Sequence, residues 1–163
     1  YLNELLIRLL PRRDPHVEVF ELYESTLAAL RVGVDEAAAL RIFEKRLLES
    51  VGYGLPLTHD ARSGEPVDSA RSYRFVPDEG PIETTPGVAE GHCLVSGATL
   101  VALAAERLDE PVARREARAI LRLAIERCLE GRGLRSRDVL MSMRRSAPSA
   151  SGRPVPPAAG DET

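Results

Sequence analysis

Apolar residues recur at steps of three and four through most of this chain, the period of helices that pack by one face. The clearest stretch runs from Ala39 to Gly54. Leu40, Phe43, Leu47, Leu48 and Val51 share one face of a helix there. Asp35 stands in front of it as a capping acid, and Gly52 stands where it stops, because glycine takes a left-handed turn without steric cost. Arg41, Lys45 and Arg46 lie off the stripe. Two readings fit: a core helix with a solvated basic shoulder, or a leucine-lined groove edged by guanidinium groups.

Two more helices precede it. Tyr1, Leu2, Leu5, Leu6, Leu9 and Leu10 are in helical register up to Pro11, whose ring blocks continuation. Asp14-Pro15 reads as a capping acid followed by proline in the first turn. Val17, Phe20, Leu22, Tyr23, Leu27 and Leu30 then form the expected apolar face of a second helix ending near Gly33. From 54 to 94 the helical period disappears and Gly and Pro mark turns. Ser72–Val76 is the best candidate strand, and Pro81-Ile82-Glu83 can pair with it across Pro77–Gly80. Ser96 is placed to cap a helix over 97–108, and Asp109 with Pro111 opens the next. Leu121, Leu123, Ala124, Cys128 and Leu129 are its expected inner face, with Gly131 or Gly133 as its end and a last short helix from Ser136 to about Arg145.

The expected fold is therefore mainly α: a helical bundle with a small, irregular, ribbon-like insert. Residues 1–53 form the first part of the bundle, 54–94 the insert with a hairpin, and 95–145 the second part. Residues 146–163, rich in Pro, Ser, Ala and Gly, are expected to be a disordered tail. Tyr1 already lies in helical register and the only methionines are Met141 and Met143, so the chain reads as the C-terminal part of a longer protein.

Composition narrows the function. In 163 residues aromatics make up only 4%, which leaves a core of Leu, Val and Ala. The formal net charge is -3, so the chain as a whole is no general polyanion binder. The charge is uneven: residues 1–90 carry 10 basic and 16 acidic side chains, whereas 112–145 carries 10 arginines against 4 acids. That local excess fits a directed contact with an anion, through Arg127, Arg132, Arg135 and Arg137. No aromatic lies within the basic stretch, so a base-stacking platform is not expected. Cys93 and Cys128 stand far apart with no CxxC spacing, which argues against a disulfide scaffold and fits a reducing cytoplasm. The insert offers only His59, His92 and Cys93 as soft ligands, fewer than a structural zinc needs. No nucleophile and base pair stands out, so neither an enzyme nor a cofactor is expected.

Several strings read together. Tyr1-Leu2-Asn3-Glu4-Leu5-Leu6, Ala39-Leu40-Arg41-x-Phe43-Glu44-x-x-Leu47-Leu48 and Gly52-Tyr53-Gly54 resemble the C-terminal part of the bacterial RecO recombination-mediator family. Thr58-His59, Ser63–Asp68 and Ser72–Phe75 look like its proteobacterial branch, and Gly131-x-x-Leu134-x-Ser136-Arg137 is similar to its closing motif. The resemblance covers roughly residues 1–145.

It implies an N-terminal OB-fold that is missing here, a helical bundle and an inserted ribbon. It implies DNA repair and recombination: binding single-stranded DNA, annealing strands, and loading RecA together with RecR onto strands coated by single-stranded-DNA-binding protein (SSB). Some relatives hold zinc in the insert. Their first cysteine pair falls near Asp60 and Ser63, so this chain looks like the zinc-free branch. The resemblance further implies that the acidic, Phe-ending tail of SSB docks on the helical part at Arg41. Geometry extends that groove to Phe43, Arg46 and Leu47, and Ile42 stands where the family often has a second basic residue. A bacterial cytoplasmic, nucleoid-associated protein without membrane contact is implied. The alternative is a helical interaction scaffold whose arginines only pair with helix acids.

Overall fold

A computed structural model describes residues 1–10, 16–33, 35–85 and 93–145, with 131–145 described by their backbone alone. It contains helices α1 (Leu2–Leu9), α2 (Val17–Arg31), α3 (Glu36–Ser50), α4 (Gly97–Ala104) and α5 (Pro111–Arg145), and strands β1 (Ser72–Val76), β2 (Gly80–Glu83) and β3 (Cys93–Ser96). The architecture is mainly helical with one small antiparallel sheet in the order β2-β1-β3. Two units separate, Tyr1–Gly131 and Arg132–Thr163. The core lies in the first. The described part of the second is the end of α5. The expected disordered tail, the Pro11 stop and the Asp14-Pro15 start lie outside the described residues.

α3 is the hub, and its ends form as its sequence dictates. The Asp35 carboxylate accepts the Ala38 amide at 3.0 Å. At the other end Gly52 takes φ +82°, Tyr53 N donates to Leu48 O at 2.8 Å, and Gly52 N donates to Glu49 O at 3.0 Å. That pair of bonds satisfies carbonyls the helix would otherwise strand. Phe43, Leu47 and Leu48 are wholly inaccessible to solvent. They join one cluster with Leu2, Leu5 and Leu9 of α1, Leu100 and Leu103 of α4, and Ile120, Leu121 and Cys128 of α5. Each such side chain contributes about 1.5–3 kcal/mol by leaving water.

α2 turns a different face to the core than its pattern was read to show. Val17, Phe20 and Leu27 are exposed, whereas Val19 and Thr26 are buried and Leu22, Tyr23 and Leu30 are partly buried against the core. Positions 19, 22, 23, 26 and 30 make the helical row. Thr26 fits within it because its hydroxyl donates to Leu22 O at 2.7 Å.

The hairpin register is as expected: Tyr73 faces Glu83 and Val76 faces Gly80 across the turn. A third strand was not foreseen. β3 pairs with the other edge of β1, Tyr73 opposite Val95, so the insert boundary at 94 cuts through a strand. Tyr73 and Phe75 point inward. The Tyr73 hydroxyl accepts the Asp68 amide at 2.9 Å, and Gly97 sits beneath it so closely that a Cβ there would lie 1.9 Å from Asp68 O. Only glycine fits this crossing.

Ser96 caps α4 as expected, its Oγ accepting Thr99 N at 3.2 Å, but α4 ends at Ala104 rather than 108. Glu116 of α5 reinforces the cap, accepting Ser96 N at 2.9 Å and Thr99 Oγ1 at 2.6 Å. α5 runs on through Gly131 and Gly133, so the separate last helix is not formed. Its inner face is Ala113, Ala117, Ile120, Leu121, Ala124, Ile125 and Cys128, with Leu123 and Leu129 only partly buried.

Asp60 organises the insert. Its Oδ1 accepts the amides of Arg62 at 2.9 Å and Ser63 at 2.7 Å, and its Oδ2 accepts the Glu83 amide at 2.5 Å. Burial pushes its carboxyl up, but the bonds from Ser63, Glu83 and Arg62 together outweigh that and hold it below the ordinary value of 3.8. Among the described residues no group of His, Cys, Asp or Glu gathers as metal ligands do.

Two outcomes follow. Phe43→Ala is expected to cost about 3–5 kcal/mol in denaturant unfolding, the range for a buried aromatic. A loss under 1 kcal/mol would mean the side chain is not in the core. Asp60→Asn puts an amide NH2 where the Glu83 N–H points and is expected to cost about 1.5–3 kcal/mol. Because the folded pKa of Asp60 is depressed, its stabilisation is present above 3.8 and lost as pH falls through the folded value. Acid titration of stability should therefore be shallower in Asp60→Asn than in the wild type.

Candidate functional site

α3 and α5 each present a row of residues at steps of four to a common space, and α1 closes it from the side. The cleft between them measures about 980 Å³. Leu40 and Arg41 come from α3, Arg114, Arg118, Arg122, Ile125 and Leu129 from α5, and Tyr1, Leu5 and Arg8 from the α1 side. The apolar lining is thus Leu5, Leu40, Ile125 and Leu129, surrounded by five arginines. Five acids accompany them: Glu4, Asp35, Glu36, Glu44 and Glu126.

Most of these charges are already paired. Arg8 meets Glu4 at 2.9 Å, Arg114 meets Asp35 at 2.7 Å, and Arg122 meets Glu126 at 2.9 Å. Arg118 is exposed and, among the described residues, makes no ion pair. Among the described residues it is the lining's one arginine without an ion pair, and its charge acts on Glu44.

Arg41 is held differently. Its side chain is only 11% exposed, and its Nη2 lies 2.9 Å from Glu44 Oε1. The same oxygen accepts the Tyr1 hydroxyl. Glu44 is 1% exposed. Burial raises its pKa above the ordinary 4.5, against the opposing pull of the Tyr1 hydroxyl and the charges of Arg41 and Arg118. Arg41 Nε and Glu44 Oε2 are both buried without a hydrogen-bond partner among the described residues.

The other residues expected at this groove are elsewhere. Phe43 and Leu47 lie at the centre of the core stripe and line no cleft. They cannot be both entombed in the bundle and open to a partner. Arg46 points to the opposite flank, where its Nη2 meets Glu106 Oε2 at 2.5 Å, and that carboxylate also takes Lys45 at 2.9 Å. The basic shoulder is therefore an internal ion-pair cluster. First the Arg46 hydrogen bond, then the one from Lys45, hold the Glu106 carboxyl below its ordinary range, against its burial.

The phosphate candidates are only partly placed. Arg127 is half exposed and bound to Asp78 in the β1–β2 turn at 2.6 Å. The side chains of Arg132, Arg135 and Arg137 lie outside the described residues. Arg118 and Glu44 were not singled out from the sequence. The spacing of Arg114, Arg118 and Arg122 by four was the available signal, since it puts three guanidinium groups on one side of a helix.

Comparison with known proteins bears on the family. Residues 1–138 match the family model described as Recombination protein O C terminal. The DNA repair protein RecO of Methylococcus capsulatus is 44% identical over 142 residues, covering 87% of this chain and 57% of that protein. That of Stutzerimonas stutzeri is 44% identical over 146 residues, 90% of this chain and 60% of the relative. That of Alkalilimnicola ehrlichii is 43% identical over 153 residues, 93% and 60%. The chain spans less than two thirds of the length of these relatives. Among the described residues no helix is long and apolar enough to cross a membrane. A family match running from α1 through most of α5, together with identities above 40% across nearly the whole chain, means that the chain belongs to the RecO C-terminal family.

Proposed function

We propose that this chain is the helical part of a non-enzymatic DNA repair and homologous-recombination mediator, and that its α1–α3–α5 cleft receives the acidic, Phe-ending tail of SSB. The observation that carries this reading is the pairing of an apolar lining with Arg118, which is exposed and makes no ion pair among the described residues, beside the largely buried Arg41. An aromatic ring would leave water against Leu5, Leu40, Ile125 and Leu129, while guanidinium groups meet the terminal carboxylate and nearby acids. The cleft volume lies in the range of small-ligand sites, enough for the end of a peptide.

In this reading the protein binds single-stranded DNA phosphates through Arg127, Arg132, Arg135 and Arg137, anneals strands, and works with RecR in loading RecA. It acts in the bacterial cytoplasm, at the nucleoid. The names of the relatives support the repair assignment. One observation favours the second reading, a scaffold without nucleic-acid contact: Arg122 and Arg127 are each bound to an acid of this chain.

Calorimetry with an acidic peptide ending in Phe tests the cleft. Arg118→Ala and Arg41→Ala are each expected to weaken binding by about 1–3 kcal/mol, as for a charged hydrogen bond. Arg46→Ala, on the opposite flank, should leave it unchanged. Unaltered affinity in both cleft variants would reject the assignment. For DNA, binding of a labelled single strand should fall steeply with salt, because each neutralised phosphate releases counterions. No binding, or a flat salt response, selects the scaffold.

A further inference from the structure

Glu44 differs from every other acid of the cleft. It is 1% exposed, one of its oxygens is shared by Tyr1 and Arg41, and the other has no hydrogen-bond partner among the described residues. The charged and titratable groups that bear on it come from three elements: Tyr1 at the start of α1, Arg41 on α3 and Arg118 on α5. The remaining paired charges of the lining, Glu4 with Arg8, Asp35 with Arg114 and Glu126 with Arg122, satisfy one another. Glu36 lines the same cleft from the first turn of α3.

We infer that Glu44 positions Arg41 in the empty cleft and takes up a proton from solvent when an anionic group seats against Arg41 and Arg118. This rests on the cleft being an anion-receiving site. With the cleft empty, the Glu44 carboxylate is the counter-ion of Arg41. An entering carboxylate brings a second negative charge close to the buried one, and of two carboxylates sharing a site one has its pKa strongly raised. The guest also draws on the two arginines whose charge keeps Glu44 ionised. The proton then goes to Glu44, and a carboxyl O–H replaces an unpaired oxygen. No other proton moves in the exchange, and Arg41 passes from Glu44 to the guest.

The other groups cannot take this part. Arginine stays protonated under any working condition. The Tyr1 hydroxyl is held above its ordinary range, by burial first and then by its bond to Glu44, so it remains a donor. Burial has already moved Glu44 toward its neutral form. His16 and His59 do not line the cleft.

The sign follows from linkage. If the bound state holds more protons than the free state, affinity falls as pH rises, by at most about tenfold per pH unit for one proton. Positioning alone would give no such slope.

The test is calorimetry of the full chain with an acidic Phe-ending peptide, from about pH 5.5 to 8, above the titration of most peptide carboxyls. Each titration is run in two buffers of different ionisation enthalpy. The expected result is net proton uptake on binding and a falling affinity with pH. Glu44→Gln should abolish the uptake and flatten the slope. Tyr1→Phe, which removes a hydroxyl that favours the charged form, should move the slope to higher pH. Binding without proton uptake, or a Glu44→Gln variant that keeps the full slope, overturns the inference and leaves the tail-binding proposal standing. Absence of binding at every pH overturns both.

Discussion

The structure depends on burying α3 more deeply than its charge pattern allows for free. Phe43, Leu47 and Leu48 sit so far inside that Glu44 and Lys45, which flank them, lose access to water as well. A buried charge without a partner is costly, and removing one member of such a pair typically costs about 3–5 kcal/mol. Each flank is therefore answered by a different element. The Tyr1 hydroxyl reaches Glu44 from the start of α1, and Glu106 reaches Lys45 and Arg46 from the turn after α4. Glu106 takes a left-handed φ of 57° in that turn. For a residue other than glycine this is a strained conformation. Its two charged partners on α3 offset the strain.

Local signals in the sequence carried local features of the fold. The caps at Asp35 and Ser96, the Gly52 stop and the hairpin between β1 and β2 are set by residues within a few positions of one another, and each formed where the residue types placed it. What was not legible depends on distant partners. β3 is four residues long, too short to display a period, and exists because β1 has a free edge. α2 carries apolar residues on two sides, and only packing against α3 selects Val19 and Thr26 over Val17 and Phe20. Gly131 and Gly133 looked like a stop, yet a glycine inside a helix costs only about 1 kcal/mol relative to alanine.

The cleft shows the same division. Arg41 lines the cleft, whereas Phe43 and Leu47, which the sequence pattern assigned to the opening, lie in the core. A single stripe was asked to do both. The helix resolves this by geometry. Phe43, Leu47 and Leu48 form the centre of the stripe, whereas Glu36, Leu40 and Glu44, with Ala37 and Arg41, form rows at steps of four along its edge. α5 answers with Arg114, Arg118 and Arg122 at the same spacing. Neither row is distinctive alone, since arginines at steps of four are ordinary on a solvated helix. They become a site because Tyr1 and Leu5 close the third side.

Two buried carboxylates separate rigid support from a responsive site. Asp60 lies where the resemblance places metal cysteines in some relatives, and here its oxygens are filled by the amides of Arg62, Ser63 and Glu83. Those donors favour the charged form, so its carboxyl lies below the ordinary range and the insert is held in one state. Glu44 is at least as buried, but among the described residues it receives no backbone amide and one of its oxygens has no hydrogen-bond partner. Its pKa is displaced the other way. The same residue chemistry is locked in the insert by hydrogen bonds that do not move, and left adjustable in the cleft by arginines that a ligand can claim. In the proposed reading an anion entering the cleft meets a like charge that one proton neutralises, whereas an anion approaching the Asp60 loop meets a carboxylate that stays charged.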